Sequence, residues 1–94
     1  MDNPFEGLTP DEKSFVEIVV MLEAGALQGL GQLTNPIEGK KKLNLPQARR
    51  SIDAIEMLHR RFSDGLSERE KSFIEGVLSQ LRLLFIKASE GEKS

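Results

Sequence analysis

His59 is the only histidine in the chain, and there is no cysteine. Together these two facts remove most side-chain chemistry. A zinc site built on imidazole and thiolate needs several such ligands at close spacing. Disulfides and thiol nucleophiles are excluded with it. Neither an H-E-x-x-H element nor an acidic calcium loop occurs. Glu17, Glu23, Asp53, Glu56 and Glu75 are the carboxylates that a helical metal site would draw on. No Glu-x-x-His pairing is read among them, so the di-metal bundle chemistry is not expected. Nucleophilic catalysis fares no better, because Ser51, Ser72 and Ser79 sit in helical patterns without an elbow motif. The glycines cluster inside a helical pattern, with no phosphate-binding or dinucleotide fingerprint. For His59 itself, a general-base or pH-switch role competes with a boundary residue bonded to a carbonyl or to water, and the second reading is adopted. The expectation is a non-enzymatic protein with no catalytic, metal or cofactor residues.

Two other groupings carry binding chemistry. The first is basic. Residues 1–35 hold one base and six acids, residues 36–62 seven bases and three acids, and residues 63–94 five bases and six acids. The middle third, Lys40, Lys41, Lys42, Arg49, Arg50, Arg60 and Arg61, is thus a basic island in a chain of net charge −2. Lysines and arginines of this kind neutralise phosphates, which makes nucleic-acid binding the alternative function. No aromatic residue lies among them to stack on bases, so solvated loop and helix charges are the simpler account.

The second grouping is apolar. From Thr9 to Leu33 the chain reads TPDEKSFVEIVVMLEAGALQGLGQL. Wound at about 100° per residue, Phe15, Ile18, Val19, Leu22, Ala26, Gly29, Leu30 and Leu33 share one face, flanked by Val16, Val20 and Leu27. The resulting arc of about 200° is wider than the roughly 100° stripe of a helix packed on one side. Gly25, Gly29 and Gly31 each cost about 1 kcal/mol relative to alanine in a helix interior, which points to close approach of a neighbouring backbone. That neighbour is either inside the subunit or in another one. Glu17, Glu23, Gln28 and Gln32 interrupt the stretch, so no membrane span is expected.

The elements that position these residues are three helices. The first starts at a capping box, Thr9 and Glu12, with Pro10 in the first position and Asp11 and Glu12 in the first turn. It is expected to end near Leu33, before Asn35-Pro36, for a span of about 10–33. The stretch from Thr34 to Asn44, with Pro36, Gly39 and three lysines, reads as a loop. A second helix, about 46–62, starts from Asn44 and Pro46 and places Ala48, Ile52, Ile55, Leu58 and Phe62 on one face. Ser63-Asp64-Gly65 ends it, with Gly65 in a left-handed conformation past the terminus. Ser67 and Glu70 form a second capping box and open a third helix, about 67–88. Its core stripe is Phe73, Ile74, Val77, Leu78, Leu81, Leu84 and Phe85, with Leu83 and Ile86 pointing away. The short link makes the last two helices an antiparallel hairpin. Ninety-four residues form a single all-α domain, with tails at about 1–8 and 89–94. No signal peptide is visible, and a cytoplasmic protein is expected.

From Asn44 onward the pattern resembles a known family. Asn44-Leu45-Pro46, Ala48, Ile52-Asp53, Met57-Leu58, Gly65-Leu66-Ser67, Glu70 and Leu81-Arg82 are similar to a family of short bacterial proteins catalogued as a domain of unknown function. Those proteins also have an apolar first helix ending in Leu-Gly, as Leu30-Gly31 does here, and then a proline, as Pro36. The resemblance covers about residues 13–88. It implies a helical, bacterial, cytoplasmic protein and supplies no catalytic residues. Its members often carry a longer N-terminal tail and a tyrosine late in the third helix, where Phe85 is the nearest aromatic here.

The wide first arc and the spare residues on the third helix give the leading functional expectation: a self-associating module, a dimer favoured, that binds an unknown protein partner. The candidate interface residues are Leu22, Gly25, Ala26, Gly29, Leu30, Leu83 and Ile86.

Overall fold

The computed structural model describes residues 6–34, 39 and 42–93. Within them the chain forms α1 (Pro10–Gly29), α2 (Leu45–Phe62) and α3 (Glu68–Lys93), with a short 3-10 turn at Ser63–Gly65. The fold is all-α, with three mutually packed helices.

α1 begins as its residues dictate. Glu12 N donates to Thr9 Oγ1 at 3.1 Å, and Thr9 N donates to Glu12 Oε1 at 2.9 Å. Each thereby satisfies an amide left open at a helix start. The helix ends at Gly29, four residues before the Leu33 expected from the Pro36 signal. Gly31, at φ +74°, is the reason. The amide of Gly31 reaches back to Gln28 O at 3.1 Å, and that of Gln32 to Leu27 O at 2.8 Å. This double closure on a left-handed glycine is a Schellman stop.

α2 starts at Leu45, capped by Asn44, whose Oδ1 accepts from Gln47 N at 3.1 Å. Its end differs from expectation. Gly65 does not adopt positive φ. Instead the chain tightens into the 3-10 turn, with Leu66 N donating to Ser63 O at 3.3 Å. α3 opens on its own capping box, Ser67 and Glu70. It continues through residues 89–93, where a tail was expected. No proline follows Ala88, and Gly91 alone does not stop a helix.

α2 runs antiparallel to α1. Asn44 N donates to Gly29 O at 2.7 Å, and Leu30 and Leu43 form an isolated antiparallel bridge. Gln47 Nε2 donates to Gly25 O at 3.1 Å. α1 and α3 run parallel, because their first turns meet at Glu12 and Ser67. The core between the helices is Val19, Ala26, Leu30, Ala48, Ile52, Ile55, Ile74, Val77, Leu78 and Leu81. The outline is 43 × 26 × 25 Å, its long axis close to the roughly 39 Å of a 26-residue helix.

Candidate functional site

Three places gather chemically capable side chains: the paired starts of α1 and α3, the polar fringe between α2 and α3, and the apolar surface.

At the paired starts, Ser67 Oγ donates to Glu12 Oε2 at 2.6 Å. The same oxygen accepts from Glu70 N at 3.2 Å, while Glu70 Oε1 accepts from Ser67 N at 2.8 Å. Two capping boxes are therefore fused into one network through a single hydroxyl. The Ser67 hydroxyl, then the Thr9 amide, hold the Glu12 carboxyl below its ordinary range. Both carboxylates are 8% exposed. A carboxylate engaged this way is a cap, not an available base. Arg69 Nη2 donates to Glu6 O at 2.7 Å and ties the preceding segment to α3. A cleft of about 440 Å³ opens beside this network, with Leu8, Val16 and Phe73 as its apolar wall.

Along the α2–α3 fringe, Glu56 and His59 stand at Glu-x-x-His spacing. This corrects the reading that no such pairing exists: the spacing is present in the sequence, and its role becomes readable only with α3 in place. Arg82 Nη2 donates to Glu56 Oε2 at 2.7 Å. His59 Nε2 lies 3.2 Å from Glu75 Oε2 and donates to it in the tautomer that carries the proton on Nε2. The four side chains cross-link two helices. Among the described residues, no three of His, Cys, Asp and Glu converge as metal ligands.

The candidate association residues separate into two groups. Ala26 is fully buried and Leu30 is 4% exposed, both in the core. A Cβ on Gly29 would lie 2.7 Å from both Ala48 N and Asn44 O. The backbone whose approach this glycine permits is therefore that of α2 in the same chain. A Cβ on Gly25 would meet Ser51 Oγ at 3.0 Å, and Leu22 lines a cleft with Ser51 and Ala54. These residues pack within the subunit. Leu83 and Ile86 are different, at 53% and 54% exposed. Further exposed apolar residues are Ile18, Val20, Met21 and Phe62. Ile18 and Phe62 were placed on core faces by helical winding. The winding of α1 gives a direction for each residue but not the side that α2 occupies.

Of the basic residues, Lys42 precedes α2, and Arg49 and Arg50 lie in its first half. Lys40 and Lys41 lie outside the described residues. Lys42 is exposed. Arg49 Nε is 3.3 Å from Asp53 Oδ1, and its guanidinium lies 5.9 Å from the Phe85 ring centroid. Arg50, Arg60 and Arg61 are exposed. Arg60 and Arg61 close the last turn of α2, where the helix dipole favours cations.

No helix among the described residues is long and apolar enough to cross a membrane. Comparison with curated proteins and with solved structures gives no match. The family model described as "Domain of unknown function (DUF1844)" matches residues 12–87, all three helices from the first turn of α1 to the late turns of α3, and the chain belongs to that family.

Proposed function

We propose that this protein is a non-enzymatic helical module that self-associates and acts through protein–protein contact. The observation that carries this reading is the exposure of Leu83 and Ile86, more than half open on the outside of α3. Apolar side chains grouped on a helix surface mark an association site. The state of the polar residues supports the same reading. Glu12 and Glu70 cap helices, and Glu56, His59, Glu75 and Arg82 hold α2 to α3. A cytoplasmic site of action goes with it.

Light scattering across a micromolar concentration series tests the proposal. A mass rising from 10.5 kDa toward twice that value is expected. A constant 10.5 kDa mass would remove it.

A further inference from the structure

We infer that the outward stripe of α3 is the association seam, and that it pairs with the same stripe of a second copy running antiparallel. This rests on the self-association reading and adds the partner, the helix and the register.

The stripe is Ser72, Gly76, Ser79, Leu83 and Ile86, alternating spacings of four and three residues along one face. All five are exposed. None is charged, whereas the solvent side of an amphipathic helix ordinarily carries charged and polar residues. Gly76 adds a second anomaly. Glycine in a helix interior weakens the helix relative to alanine. A Cβ placed there would meet nothing within 4 Å, so no neighbour among the described residues requires the glycine.

The shape of the stripe selects the occupant. Its first half is small and its second half bulky. Turning a second copy end for end about Ser79 sets Ile86 over the other chain's Ser72 and Leu83 within one residue of its Gly76, twice over. A parallel copy would set glycine on glycine and leucine on leucine, leaving one end empty. Charge selects the same arrangement. Glu75 and Arg82 lie seven residues apart on one flank of the stripe. Antiparallel pairing places each Glu75 opposite the other chain's Arg82, whereas parallel pairing turns this flank toward the other chain's opposite flank and loses the match. Both have partners on α2, yet their side chains remain 59% and 53% exposed. The symmetry is two-fold and isologous, so assembly closes at a dimer.

A chain without cysteine allows a direct test. Single variants Ser79→Cys, Ser72→Cys and Ile86→Cys are oxidised in air, the last two also as a mixture, and the products weighed by mass spectrometry. Ser79→Cys is expected to form a disulfide dimer. Ser72→Cys alone is expected to stay monomeric, because in the antiparallel dimer the two copies lie about 21 Å apart at about 1.5 Å per residue, against a disulfide reach of about 7 Å. The mixture is expected to give the mixed disulfide. Disulfide formation by Ser72→Cys on its own would overturn the antiparallel register. Wild-type self-association with no cross-link at any of the three positions would overturn the seam and leave the proposed function standing. A wild-type monomer would overturn both.

Discussion

Gly29, the last residue of α1, and Gly76, in the interior of α3, are both helical glycines, and their surroundings are opposite. Gly29 ends α1 with the backbone of α2 so close that a methyl group would collide with Ala48 N and Asn44 O. Gly76 faces open space on the outside of α3. The first glycine is accounted for by packing within one chain, and the second is not. A glycine in a helical pattern therefore need not mark a close approach within the chain, and only the folded chain shows whether a backbone is present beside it.

The largest effect is expected at Gly29. Gly29→Leu should abolish folding, and Gly29→Ala should cost about 1–3 kcal/mol, the range for overpacked sites. Urea denaturation followed by circular dichroism measures it, and a wild-type midpoint for Gly29→Ala would mean that α2 does not sit where described. The next effect is on the outer stripe. Leu83→Glu combined with Ile86→Glu should weaken self-association more than tenfold while leaving monomer stability within about 0.5 kcal/mol, as surface changes do. A large loss of stability instead would place those side chains in the core.

Gly76→Ala sharpens the contrast. Removing a helix glycine with room for a methyl group should stabilise the monomer by about 1 kcal/mol, the reverse of the sign at Gly29. Measuring it at low protein concentration separates folding from association.

Ser67→Ala removes the hydroxyl that joins the two capping boxes and should cost about 1 kcal/mol. It also changes the acid response. Glu12 is held below its ordinary pKa by Ser67 and Thr9. Its stabilising contribution is present above the ordinary carboxylate range and is lost as pH falls through the lowered value. Ser67→Ala should flatten that acid loss. The smallest effect is at Glu23, which burial pushes upward. Folding there favours the protonated acid, so stability from this residue falls as pH rises past the ordinary range toward the raised value. Glu23→Gln should remove that slope, seen as a higher melting temperature at neutral pH.

Much of the fold is legible in the sequence because its start signals are local. Thr9 with Glu12, Asn44 with Gln47, and Ser67 with Glu70 are contacts within one turn, and all three form. The ends are less legible. Pro36 is a plain stop, but Gly31 acts sooner, and the Leu30-Gly31 pair carries that information only once the Schellman bonds are drawn. Gly65 is in the place of a left-handed stop, yet the chain takes a 3-10 turn there. The exposure of the candidate association residues was half legible. Leu83 and Ile86 fall off the core stripe of α3 by angle alone and are exposed. Leu22, Gly25, Ala26, Gly29 and Leu30 lie on an arc too wide to partition by winding, because which flank meets α2 depends on a contact between residues about 20 positions apart, such as Gln47 with Gly25.

Sedimentation equilibrium of the wild-type chain beside the Leu83→Glu, Ile86→Glu double variant tests the central claim most directly. The account predicts a wild-type mass approaching twice 10.5 kDa at high concentration, and a variant that stays at 10.5 kDa with an unchanged melting curve. Equal masses for the two chains, whether both monomeric or both associated, would contradict it.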